Sequence, residues 1–182
     1  MAEQAKPFQG LDEFYAYKNQ LLGDILTNDK ILELLDNQNI GLTADECIGT
    51  CVFPFEYLPT PDASPIEKAQ TFICCDVDIN NNVSSTKSSS TYLTATLYIW
   101  VFTHDSLMVA PGGGVRTDII TSEISKEING SYNYGLGRLE LDYVRRFSPI
   151  QHYQGRVMRF ATSDWNRLNP TGQKPPASRA HY

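Results

Sequence analysis

No run of apolar residues in this 182-residue sequence approaches the roughly 18 to 20 needed to cross a bilayer as a helix. The opening MAEQAKPFQG has neither the basic patch nor the apolar stretch of a secretory signal, so the expected setting is a cytoplasm-like compartment, with no membrane partner. Histidine is scarce, at three residues, and none is spaced with a cysteine as in a zinc site. Of the four cysteines, Cys74 and Cys75 fall in the strand-like run TFICCDVDI, where neighbouring side chains point to opposite faces and do not readily share one ion. A reducing compartment argues against disulfides. Cys47, Cys51, Cys74 and Cys75 are therefore expected to be buried or half-buried free thiols, and neither a metal nor a cofactor is expected.

Signatures of chemistry are also missing. Asp76-x-Asp78-x-Asn80 opens like a calcium loop, but the sixth position is Asn81 where the turn needs glycine, and the twelfth is Lys87 where a bidentate glutamate belongs. The glycines of PGGG at 111–114 precede a helix-like run, yet no Gly-Lys-Ser/Thr follows and no GxGxxG spacing exists; a flexible lead-in to the helix fits better than a phosphate cradle. His104, Asp105 and Ser106 are adjacent in sequence, which on a strand points them apart, and no GxSxG surrounds the serine. No catalytic residue is assigned, and an enzyme is not expected. With a pI near 5.0 the chain lacks the basic footprint of a sequence-specific nucleic-acid reader.

What is present is the composition of a globular protein: 41% hydrophobic and 20% charged residues. The net charge of −6 is unevenly spread. Residues 1–91 hold five basic and 14 acidic side chains, for −9, and residues 92–182 hold ten and seven, for +3. Such polarity suits head-to-tail packing of identical subunits. It is also compatible with both signs mixing on the folded surface. Arg145 and Arg146 beside Phe147 form the densest basic stretch and are the candidate basic side of such a contact.

Leu11, Phe14, Tyr15, Leu21, Leu22, Ile25 and Leu26 recur at helical spacing and predict a helix over about 11–26. A second follows from Asp29, capped by Thr27 or Asn28 and ending near Asn37. Glycines and prolines, among them Gly41, Gly49, Pro54, Pro59, Pro61 and Pro65, predict a long proline-rich loop over about 37–70, with at most a short strand near Cys51 to Phe55. Period-two alternation predicts strands over Thr71 to Ile79 and Thr91 to Thr103. The second has an aliphatic face, Leu93, Ala95, Leu97, Ile99 and Val101, and an opposite face of Tyr92, Thr94, Thr96, Tyr98, Trp100 and Phe102. Between them NNNVSSTKSSST reads as a polar hairpin arm over about 80–90. Val115 to Asn129 predicts a third helix carrying Ile120, Ile124 and Ile128, with Gly130 as its left-handed cap. Short strands are expected over Arg138 to Tyr143, with Leu139, Leu141 and Tyr143 on one face, and over Arg156 to Thr162. The stretch from about 168 to 182 should be an extended or disordered tail.

This order describes a single α+β domain over 1–167, a mostly antiparallel sheet with helices packed on one face. There is no internal repeat. Helices can cover the aliphatic face, which leaves the aromatic face, with Tyr98 and Trp100, as a candidate interface.

Several short runs carry a resemblance: Phe53-Pro54-Phe55-Glu56-Tyr57-Leu58-Pro59, Arg116-Thr117-Asp118, Ile128-Asn129-Gly130, Gly135-Leu136-Gly137-Arg138-Leu139-Glu140-Leu141 and Tyr153-Gln154-Gly155-Arg156. Over about residues 20–165 the sequence resembles uncharacterised proteins from the structural-gene region of phages infecting Gram-positive bacteria. Its element order is similar to that of phage tail terminator proteins. That resemblance implies a tail-terminator-like fold and a homo-oligomeric ring, a hexamer, capping the tail tube. It further implies the tail tube protein and the head-tail connector or stopper as partners, DNA passing through the ring lumen, and a place in the neck of the virion after assembly in the host cytoplasm. The proline-rich segment at 52–65 and the polar tail depart from a minimal terminator, and a head-completion or stopper subunit is the alternative.

Overall fold

The computed structural model describes residues 14–36, 41–59, 70–80, 92–134 and 138–165. The expected tail at 168–182, residues 81–90 of the expected arm and residues 37–40 and 60–69 of the proline-rich loop lie outside them. Four helices, α1 (Phe14–Leu26), α2 (Asp29–Leu35), α3 (Ala44–Cys47) and α4 (Arg116–Ile128), accompany five strands, β1 (Val52–Phe53), β2 (Thr71–Asn80), β3 (Tyr92–His104), β4 (Glu140–Phe147) and β5 (Tyr153–Trp165). The sheet order is β1-β2-β3-β5-β4. Only β1 runs parallel to its neighbour; β2, β3, β5 and β4 are antiparallel in turn. The fold is α+β, as expected. β3 and β4 point the same way, are joined through α4, and have β5 inserted between them, a split β-α-β arrangement.

Local chemistry explains most element ends. Asn28 caps α2 by accepting from the amides of Lys30 and Ile31. Thr43 and Glu46 form a reciprocal capping box around α3, a one-turn helix inside the stretch expected to be loop. Gly130, with φ 85°, follows the C-cap residue Asn129 of α4 and takes the left-handed conformation that stops it. The PGGG stretch is a bonded turn: the Gly113 amide donates to the Ala110 carbonyl at 2.9 Å and the Ala110 amide to the Gly114 carbonyl at 3.0 Å.

Register assigns each face of the sheet. Ile73 and Cys75 on β2, Leu97, Ile99 and Val101 on β3, and Met158 and Phe160 on β5 lie across from one another and are all buried. Ile120, Ile124 and Ile128 of α4, at one-turn-plus spacing, join them in one core with Leu22 and Ile25 of α1 and Ile31 of α2. Each such side chain contributes roughly 1.5 to 3 kcal/mol on burial. α4 lies against β3 and β5, while α1 and α2 lie against β2. Arg156, on this same face, reaches Asp118 of α4 with two hydrogen bonds of 2.7 and 3.2 Å, which marks it as the helix-covered face. A buried hydroxyl pair, Thr71 and Thr103 at 2.8 Å, closes one end.

Three expectations are corrected. Tyr15, placed on the apolar face by spacing, is 69% exposed, and Tyr17 is buried in its stead. β4 and β5 run several residues beyond the expected strands, because pairing with a neighbour extends a strand past what its own residues favour. Leu141 and Tyr143 do not share a face: a register shift between them, a bulge at Asp142, puts Leu141 beside Phe160 and Tyr143 beside Arg159.

Candidate docking surface

The second face of the sheet is aromatic. At one end Phe53, Tyr57 and Phe72 pack together, with Phe53 and Tyr57 stacked at 4.2 Å, so the segment after β1 folds over β2 there. Phe72 continues to Phe102 at 5.3 Å, and Phe102 meets Phe147 and Tyr153 edge-on at 5.7 and 6.1 Å. These rings close over Gly155, which lies opposite Phe102 in the register. A Cβ on Gly155 would come within 1.9 Å of the Val101 carbonyl oxygen.

Beyond this cluster the face is only partly covered among the described residues. Tyr98 and Trp100 stack at 5.7 Å with 22° between their planes, and Trp100 touches the Phe147 ring at 6.5 Å. Tyr98, Trp100, Val157, Tyr143 and Phe147 are all half-buried, and Arg145 is exposed. The Arg145 guanidinium lies over the Tyr143 ring at 4.2 Å. Arg159, between Tyr98 and Tyr143 in the register, is ion-paired with Asp142, which holds the guanidinium above its already high range. The surface is thus a row of flat rings interleaved with arginine.

Of the residues singled out from sequence, Tyr98, Trp100 and Arg145 come together here. Arg146 does not. It sits opposite Arg156 on the other face and donates to Gln154 at 3.1 Å. Tyr143, Val157 and Arg159 complete the surface and were not singled out, since only the register and the bulge reveal them.

The sites considered for chemistry resolve into structural contacts. His104 Nδ1 lies 2.8 Å from Ser106 Oγ and also accepts from the Ser106 amide at 3.2 Å, so the ring caps the 3-10 turn Asp105–Leu107. Asp105 pairs with His152 at 3.3 Å and accepts from Gln154 at 3.0 Å, so its carboxylate is turned to those two residues. His104 Nε2 is buried with no hydrogen-bond partner among the described residues. In place of the loop that would hold calcium, β2 runs straight through Asp76 and Asp78 to Asn80, and Lys18 pairs with Asp76 at 3.2 Å. Among the described residues no three histidine, cysteine or acidic side chains converge to hold a metal ion. All four cysteines are free and buried. Burial pushes the Cys74 and Cys75 thiols up to about 12 and raises those of Cys47 and Cys51 as well.

A model of the YomW family matches residues 28–162, from the cap of α2 almost to the end of β5. The chain belongs to the YomW family. YomW is a phage-type family of Bacillus, which agrees with the phage resemblance read from the sequence and carries no finer role. The match takes in the aromatic face and the α4 layer beneath the sheet. Comparison with curated proteins and with solved structures found no match.

Proposed function

We propose that this protein is a structural subunit of a phage particle that works by packing the aromatic face of its sheet against neighbouring subunits, with no chemistry of its own. The observation that carries the reading is the half-buried row of Tyr98, Trp100, Tyr143 and Val157 with Arg145 at its rim, on the face away from the helices. Tyrosine, tryptophan and arginine are the residues that dominate protein interfaces, since the two aromatics bring much area at little entropic cost and arginine brings a planar fork of donors that also stacks on rings. Covering the exposed part of Tyr98 and Trp100, at most about a third of each, removes on the order of 100 Å² from water, roughly 2 to 3 kcal/mol before the cost of association.

The finer reading is a tail terminator: a ring, a hexamer, that caps the tail tube and meets the head-tail connector at the neck of the virion. It is supported by membership of a phage-type family and by the similarity of element order. A head-completion subunit is the alternative. To test the reading, Trp165 is replaced by phenylalanine so that Trp100 alone emits. The purified protein is then followed by fluorescence and negative-stain microscopy as it assembles with its tail tube protein. Six-fold rings on the tube with a blue-shifted Trp100 support the terminator; twelve-fold rings beneath a portal support the alternative. Assembly with Trp100 unchanged, or undiminished in the Tyr98→Ala/Trp100→Ala variant, would remove the aromatic face from the contact.

A further inference from the structure

β4 is the outermost strand of the sheet, and none of its eight residues is buried. Among the described residues no strand pairs with its outer side, and Val144 is 43% exposed. An eight-residue open edge is a template for another strand, and proteins that keep such an edge single usually shorten or blunt it. Here one end is closed, since the Asn129 side chain accepts from the Leu141 amide at 2.9 Å and the turn after α4 bonds Leu139; the bulge at Asp142 and the charges of Arg145 and Arg146 are the blunting that the rest of the edge carries. The open stretch therefore runs from Asp142 to Phe147, with its middle near Val144.

The sequence of that stretch is complementary to itself. Its first half is acidic, with Asp142, which a partner's arginine would share with Arg159 of the same chain, preceded by Glu140, which lies 3.4 Å from Arg138; its second half carries Arg145 and Arg146, with Tyr143 and Val144 between. We propose that β4 pairs antiparallel with β4 of a second copy of this chain about a two-fold axis near Val144. Arg146 then lies across from Asp142 of the partner subunit, Arg145 across from Tyr143 of the partner subunit, and Val144 beside its own counterpart. The two sheets join into one of ten strands, and both aromatic faces lie on the same side. Parallel pairing in register would instead set the arginines of both copies side by side, which is unfavourable. A two-fold contact closes on itself, so the proposal goes beyond the ring reading and does not need it.

Directly opposed residues of an antiparallel pair have Cβ atoms about 4.5 to 5.5 Å apart, near enough for a disulfide once the strands adjust. Val144→Cys should therefore crosslink two chains rapidly with a mild thiol oxidant such as diamide. Ser148→Cys, beyond the paired stretch, should crosslink far more slowly, and the native thiols, all buried, not at all. A second experiment tests register. Asp142→Arg and Arg146→Asp proteins, each folded by circular dichroism, should sediment more as monomer than wild type, and mixing them should restore the dimer, because each then meets an opposite charge. The proposal is overturned if wild type is monomeric at every concentration tested, if the two cysteine variants crosslink alike, or if the mixture sediments as the sum of its parts. Trp100→Ala should leave the dimer intact, which separates this contact from the aromatic face.

Discussion

Two glycine-to-alanine substitutions should have opposite signs, and the structure gives the reason for each. Gly155 lies in β5 where the ring cluster of Phe102, Phe147 and Tyr153 closes over the sheet. An added Cβ would stand 1.9 Å from the Val101 carbonyl oxygen and 2.6 Å from the Phe102 Cα, both backbone atoms of the central strand. Contacts that short cannot be relieved by turning a side chain, so β3 and β5 must separate locally. One or two ladder hydrogen bonds are lost at about 1 kcal/mol each, and overpacking adds about 1 to 3 kcal/mol. Gly155→Ala should therefore cost roughly 2 to 5 kcal/mol, a large part of a typical domain's stability. Gly23, inside α1, has nothing within 4 Å of where its Cβ would be. Alanine there restricts the unfolded chain and suits the helix, so Gly23→Ala should add about 0.5 to 1 kcal/mol. Urea unfolding followed by circular dichroism reads both as shifts in midpoint at constant slope. A Gly155→Ala protein within 1 kcal/mol of wild type would show that the sheet relaxes cheaply, and would refute the close approach of β3 to β5 at Gly155.

Two further predictions concern buried polar groups. The four cysteines should resist a thiol reagent in the native protein and all react once it is unfolded. Burial raises their thiols in the fold, Cys74 and Cys75 to about 12, so above about pH 9 the unfolded chain gives up protons that the folded chain keeps. Stability should accordingly be at its full value below that point and fall as pH rises from about 9 towards 12; a flat urea midpoint across that window would contradict it. Arg116, 5% exposed, donates to the Leu34 carbonyl at the end of α2 and to the Leu107 carbonyl before α4, at 2.5 and 2.7 Å. Arg116→Met keeps the bulk but leaves both carbonyls short of a donor, and should lower stability by about 2 to 4 kcal/mol; a loss under 0.5 kcal/mol would mean that water replaces the guanidinium.

The helices and the two long strands were legible in the sequence because their signals are local. Ile120, Ile124 and Ile128 repeat at helical spacing, and Ile73, Cys75 and Val77 alternate with Cys74, Asp76 and Asp78, so period alone assigns their elements. The signal for α3 is local too, since Thr43 with Glu46 three residues on is a capping box, but the stretch was expected to be loop from its glycines and prolines. The extent of β4 and β5 was not legible, since Val144 to Phe147 become strand by pairing with Gly155 to Met158, and Tyr153 to Gly155 by pairing with Phe102 to His104.

The docking surface shows where reading one strand at a time runs out. Tyr98 and Trp100 share a face because they are two apart on an unbroken strand, and sequence suffices for that. Arg145 and Arg146 are adjacent, and adjacency suggests one basic patch; on a strand it means the reverse, and the two guanidinium groups lie on opposite faces of the sheet. Which of them joins the aromatic face depends on Asp142, the extra residue of the bulge. With an even ladder through 142, Leu141, Tyr143 and Arg145 would all lie on one face, and Leu141 is held beside Phe160 on the helix-covered side. Arg145 would then be turned towards the helices and Arg146 towards the aromatic face, opposite Gly155 and beside Phe102. One inserted residue exchanges them. The bulge has no signature in the chain around Asp142, since it is a property of two strands, β4 with one residue more than β5 between the same pair of rungs.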